Sequence, residues 1–136
     1  MTADDQNLKQ FKRSPCPVAN TLEIIGDKWT LLVIRDLLII SEKMTYGDFL
    51  LSPERIPTNI LADRLKRLEH HGVIDKTPYQ QRPVRYAYSL TEKGRELGTV
   101  LAAMRDWGLK HIAGTKVGLI SKQQQDGEVT ETADSN

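Results

Sequence analysis

The stretch from Ile56 to Leu90 constrains the chain more than any other, because two different periods meet in it. In its first half Leu61, Leu65 and Leu68 recur at helical spacing and form one apolar stripe. Thr58, Asn59, Ala62, Asp63 and Lys66 fall on the opposite side, with Arg67 at its edge. Gly72 then ends the helix, since glycine accepts the left-handed conformation that a helix terminus uses. In the second half Val84, Tyr86, Tyr88 and Leu90 alternate with Arg85, Ala87 and Ser89, which is strand period. Val73–Ile74 supplies the partner strand. The connector between them, YQQRPVR, is basic and too polar to be buried. A helix with an apolar inner stripe and a polar outer face is thus followed by a hairpin with a basic tip.

The rest of the chain supplies what this unit needs in order to fold. Pro17 suits a first helical turn, where its missing N–H is not needed, and Val18, Leu22 and Ile25 form a stripe that Gly26 closes. Asp27 is a good N-cap for a second helix. That helix carries Trp29, Leu31 to Ile34 and Leu37 to Ile40, is apolar nearly all round, and is expected at the centre of the core. Thr45 with Asp48 three residues on forms a capping box for a short helix that Pro53 stops. The next helix begins near Pro57 or Thr58. Thr91 caps a last helix striped by Leu97, Leu101, Met104, Trp107 and Ile112. The expected order is four helices, two strands and a helix: a mainly α fold with a small β-hairpin (α+β), one domain over residues 14–113. Residues 1–13 are expected to be a flexible arm, and residues 114–136 a disordered acidic tail.

Composition narrows the function classes. One cysteine, Cys16, excludes an intrachain disulfide and any cysteine-cluster metal site. No apolar run approaches the roughly 18 residues of a membrane span, and the polar N-terminus is no secretory signal, so a cytoplasmic protein is expected. No phosphate-cradling glycine loop or Cys/His metal spacing is present, so neither an enzyme nor a cofactor is expected. His70, His71 and His111 fall at helix ends, where protonated histidine is favoured. The net charge is only +1, but between Arg55 and Arg95 nine basic residues face four acids, whereas the segment after Ile120 has one lysine against four acids. The hairpin unit is therefore locally basic, as a surface that approaches double-stranded DNA must be.

With two short helices joined by a turn in front of it, the unit has helix-turn-helix character with a β wing. Cys16–Val18, Ile25–Leu32, Leu61, Arg64–Leu65, Leu68–Glu69, Gly72–Ile74, Pro83–Tyr86, Tyr88–Thr91, Gly94 and Trp107 together resemble the HxlR-type winged helix-turn-helix regulators, relatives of the MarR type. The resemblance covers about Cys16 to Trp107. It implies a transcriptional regulator that acts as a homodimer on a near-palindromic operator, with N- and C-terminal dimerisation helices carrying Val18, Leu22, Leu97, Leu101, Met104 and Trp107 into the interface. The chain departs from the family pattern at Met44-Thr45, where a basic residue is common, and at Ile56-Pro57-Thr58, where a Gly and a Ser are. The operator sequence is therefore not carried over.

On this reading the helix after Pro57 enters the major groove. Asn59 is the candidate base reader, since an amide pairs bidentately with adenine. Thr58 is a candidate for capping the helix, a phosphate or a thymine methyl, and Lys66 and Arg67 for phosphates. Asp63 would accept from cytosine or, more simply, pair with Arg67. Arg64, at the edge of the stripe, would meet a phosphate or form an internal ion pair. Arg82 at the hairpin tip would reach the minor groove or lie on the backbone, Gln80 and Gln81 extend the same tip, and Arg85 on the outward strand face is a phosphate candidate. Lys28 and Thr30 would hold a phosphate at a helix start. Cys16, at a helix start near Lys12 and Arg13, is a candidate thiol sensor of oxidants or electrophiles, the alternative being a small buried interface residue. A small-molecule effector is left open. The rival reading is a winged helix used as a protein-interaction module without DNA binding. It would need apolar anchors where Lys66, Arg67, Arg82 and Arg85 stand.

Overall fold

The computed structural model describes residues 14–118; the expected arm and most of the expected tail lie outside the described residues. Helix α1 spans Pro17–Ile25, with Cys16 at its N-cap and Gly26 at its C-cap. Helix α2 spans Lys28–Ile39 and is capped by Asp27, whose Oδ1 accepts from the backbone N–H of Trp29 and Thr30 at 2.9 and 3.0 Å. Strand β1 is Met44–Thr45, and α3 is Tyr46–Phe49, closed by the Thr45/Asp48 capping box. Helix α4 runs Thr58–His70. The wing is β2, Ile74–Gln81, and β3, Val84–Leu90. Helices α5, Glu92–Arg95, and α6, Gly98–His111, follow.

The sheet is antiparallel in the order β1-β3-β2. The short strand β1, absent from the sequence reading, pairs Met44 with Tyr88 and Thr45 with Ala87. The hairpin is also longer than expected. The polar connector continues β2 to Gln81, which pairs with Val84, and only Arg82-Pro83 remain as the turn. Polarity kept these residues exposed, but backbone pairing alone suffices to make them strand.

The core gathers Ile34 and Leu37 of α2, Phe49 of α3, the Leu61, Leu65 and Leu68 stripe of α4, and Val73, Ile74 and Leu90 at the root of the wing. Each of the α4 leucines contributes roughly 1.5–3 kcal/mol by leaving water, which fixes the polar face of α4 outward. Helix α2 is central but not surrounded: Ile39 is exposed and Leu32 and Leu38 are only partly covered.

The expected last helix is two helices. Gly94 in α5 is buried against the backbone of Val73, so closely that an added methyl would overlap the Val73 carbonyl oxygen. The chain then tightens, Leu97 N–H donating to Gly94 O at 3.0 Å, before α6 begins. Beyond α6 the expected tail does not start cleanly at Gly114. The Thr115 hydroxyl donates back to the Gly108 and Ile112 carbonyls at 3.0 and 2.8 Å and closes the end of α6.

Candidate nucleic-acid interface

Helix α4 presents Thr58, Asn59, Ala62, Asp63 and Lys66 to solvent. Its N-cap is Pro57, which provides no side-chain cap, and its first turn has no acid. Thr58 is therefore the first helical residue and not the cap, because the extended backbone needed for a cap falls on Pro57. The start of α4 is held by Tyr46, whose hydroxyl donates to Thr58 O at 2.7 Å. This tie between α3 and α4 was not visible in the sequence.

The middle of α4 is held by charge. Arg64 Nε donates to Asp27 Oδ1 at 3.1 Å, and its Nη1 donates to Asp63. Of the two roles open to Arg64 the internal ion pair is the one formed. Asp63 pairs with Arg64 and not with Arg67, whose Nη2 reaches the Glu23 carbonyl oxygen of α1 at 3.2 Å. Burial by itself would raise the Asp27 carboxyl, but hydrogen bonds from Thr30, Arg64 and two backbone N–H groups outweigh it and bring it down to about 2.

Thr30 is a correction. It is 2 % exposed and its hydroxyl donates to Asp27 Oδ2 at 2.5 Å, so it is unable to reach a phosphate. The helical turn that exposes Lys28 turns Thr30 inward. Lys28 lies exposed over the Trp29 ring, 4.6 Å from its centroid.

On the wing, Gln81, Arg82 and Arg85 are exposed, while Gln80 turns inward enough to donate to Pro83 O at 3.1 Å. Lys76 lies 4.4 Å from the Tyr86 ring centroid and 3.7 Å from Glu69, joining wing to α4. Two further exposed residues, neither singled out by sequence pattern, stand beside these. Tyr79 is the extra residue of a bulge between Pro78 and Gln80. Arg55, in the turn before α4, has a left-handed backbone with φ 59°. Neither position carries a glycine or other signature that would have marked it. His71 differs from expectation as well: burial, with His70, Arg67 and Lys93 nearby, lowers its pKa, so proximity to a helix end does not favour its charge.

A second face is apolar. Val18 is 66 %, Leu22 56 %, Met104 52 % and Trp107 61 % exposed, and α6 buries no residue fully. Leu97 and Leu101, expected at the same interface, instead pack partly on the chain's own core. A groove of about 900 Å³ lies between α2 and α6, lined by Leu32, Leu38, Ile39, Leu101, Met104 and Leu109 among others. Cys16 is exposed, its Sγ accepting from Ala19 N–H at 3.5 Å. Among the described residues no cluster of three or more His, Cys, Asp or Glu is placed to hold a metal ion, and no helix is long and apolar enough to cross a membrane.

A short helix, a turn, a helix with a solvated polar face and a two-stranded wing in a three-stranded sheet define a winged helix-turn-helix protein. The chain belongs to the HxlR-like helix-turn-helix family, whose model matches residues 24–116. It is 41 % identical over 96 residues to the HTH-type transcriptional regulator YdeP of Bacillus subtilis, covering 71 % of this chain and 73 % of that one. Its fold is similar to that of a MarR-family transcriptional regulator from Porphyromonas gingivalis, with TM-score 0.65, 30 % identity, and 76 % and 99 % of the two chains covered. It is also similar to the redox regulator HypR in its reduced form, with TM-score 0.65, 32 % identity, and 72 % and 95 % covered.

Proposed function

We propose that this transcriptional regulator binds double-stranded DNA sequence-specifically, as a homodimer on a near-palindromic operator in the cytoplasm. The observation that carries the reading is the solvated face of α4. Its apolar stripe is spent on the core, which leaves Thr58, Asn59 and Lys66 outward beside a wing bearing Arg82 and Arg85. A helix of this kind fits the major groove, with residues near its start at base edges and the basic wing on the backbone or in the neighbouring groove. Asn59 is assigned base reading. Lys28, Lys66, Arg82 and Arg85 are assigned phosphate or groove contacts, with Thr58 and Gln81 at their margins. Arg67 is a weaker candidate, since its guanidinium already serves α1. Arg64 is assigned first to positioning α4, through its ion pair with Asp27.

Dimerisation through α1 and α6 is supported by the exposed Val18, Leu22, Met104 and Trp107, which in a lone chain would stand in water. Selection of bound sites from random duplexes, with sedimentation of the free protein, tests both parts. A motif of two inverted half-sites and a dimer are expected. A monomer that enriches no sequence would overturn the reading in favour of a protein-interaction module.

A thiol response is a second reading, favoured by the exposure of Cys16 at the start of α1, beside Val18 in the proposed dimer face. HypR, to which the fold is similar, is a redox regulator with both reduced and oxidised forms. The chain has one cysteine, so oxidation would join two subunits or add a small thiol. Operator binding that changes after diamide in the wild type but not in Cys16→Ser is expected. Unchanged binding with Cys16 fully modified would exclude the response.

A further inference from the structure

One buried charged cluster takes no part in the DNA-facing surface above. Asp36, on the inner side of α2, is 2 % exposed. Its neighbour Arg35 donates from Nε and Nη2 to Asp36 Oδ1 at 3.0 and 2.8 Å. The same guanidinium donates from Nη1 and Nη2 to Glu54 Oε2 and Oε1 at 2.9 and 2.8 Å, a two-pronged fork. The Ser52 hydroxyl donates to Asp36 Oδ2. Ser52 and Glu54 both lie in the turn between α3 and α4, so the cluster fastens that turn to α2.

Stability is a poor reason for such an arrangement. Taking these charges from water is costly, and well-packed apolar side chains at buried ion pairs often stabilise a fold as much or more. Burial indeed pushes the Asp36 carboxyl up, against the pull of Ser52 and Arg35. What a forked guanidinium–carboxylate pair adds is direction: two parallel bonds fix both distance and angle, which an apolar contact does not. The place where direction is fixed is informative. Only Arg55, Ile56 and Pro57 separate Glu54 from the first residue of α4, and Arg55 holds the left-handed backbone noted above, its N–H donating to Ser52 O at 3.0 Å. On its other side Arg35 also lines the groove between α2 and α6.

We infer that Arg35 and Glu54, supported by Asp36 and Ser52, form a positioning clasp that holds the start of α4 at a fixed angle to the α2–α6 face. Because α2 packs on α6, in a dimer built through α1 and α6 the clasp would set how far apart and how steeply the two α4 helices meet DNA. It rests on the dimeric DNA-binding reading and adds a specific role to residues that touch no DNA. A dimer reads half-sites at a spacing fixed by its own geometry, so a rigid clasp makes that spacing strict. Opening it frees α4 to tilt and makes spacing tolerant.

The test uses full-length wild type, Glu54→Ala, Ser52→Ala and Glu54→Gln, with the selected operator and versions carrying one base pair more or fewer between half-sites. Glu54 is only partly buried, so its variants remove little packing, and Ser52→Ala loosens Asp36, the support of the clasp, while leaving the Arg35–Glu54 fork in place. For wild type, altered spacing should weaken binding about tenfold or more, on the scale of a mismatched base pair. Glu54→Ala should lose most of that discrimination, and Ser52→Ala a smaller part of it, while both bind non-specific duplex as wild type does. Glu54→Gln, which keeps one acceptor for Arg35, should fall between. A role in stability alone would lower every affinity by the same factor and leave the spacing ratio unchanged. Wild type strict and all variants equally strict would overturn the clasp while leaving the dimer reading intact. Wild type indifferent to spacing would sink the dimer reading and the clasp with it.

Discussion

Arg64 of α4 donates to Asp27, the residue that caps α2, at 3.1 Å across 37 positions of sequence. One carboxylate thus closes the start of one helix and tethers the middle of another. The tether sits on the side of α4 away from Asn59, so it sets the pose of the helix while leaving the reading face free.

Losing this tether should be felt first as stability. Arg64→Ala should cost about 1–2 kcal/mol in urea unfolding, since the bond is charged but partly open to water. The pH dependence has a definite sign. Asp27 titrates at about 2 folded, against 3.8 as an ordinary aspartate. Its contribution is therefore complete above the unfolded value and is lost as pH falls from there toward 2. Asp27→Asn keeps the helix cap and should flatten that part of the acid-unfolding curve; an unchanged curve would refute the assignment.

Asn59 and Arg82 should separate reading from holding. Asn59→Ala should change which sequences are preferred, with a discrimination loss of about 1–3 kcal/mol at one position. Arg82→Ala should weaken binding to operator and scrambled duplex alike, and lower the log–log salt slope by roughly one. Titrations of both variants at two or more salt concentrations decide this. Equal behaviour of wild type and both variants would remove α4 and the wing from the interface.

The dimer face invites a charge. Trp107→Glu and Leu22→Glu should each give folded monomers by sedimentation, because both side chains are more than half exposed in the single chain and carry little of its core. Operator affinity should fall steeply, since each half-site would then be held alone. Dimers of wild-type strength would place the interface elsewhere.

Gly94 is the backbone's tightest requirement. Gly94→Ala should lose about 1–3 kcal/mol by forcing α5 off the Val73 carbonyl. Gly108→Ala is the control in the same region of sequence, with open space around the added methyl. It should unfold no earlier than wild type in urea.

The elements that follow one local rule were legible in the sequence. The α4 stripe, the Asp27 and Thr45 caps, the Pro17 start and the alternation of Val84 to Leu90 needed only spacing and side-chain chemistry. Exposure of Asn59, Lys66, Arg82 and Arg85 followed from them, since a stripe turned inward turns its opposite face outward. What failed did so where the deciding partner is distant in sequence. Thr30 is the exception, since it reads as exposed although its partner Asp27 is only three residues away. Asp63 reads as a partner for Arg67 until Arg64 is drawn to Asp27 beside it. The break after α5 depends on Val73 lying against Gly94, and β1 exists because β3 passes beside Met44. Local pattern fixed which face of each element is apolar and where each begins. Only tertiary packing chose which charged groups meet, because an ion pair depends on distance through space and spacing along the chain does not encode it.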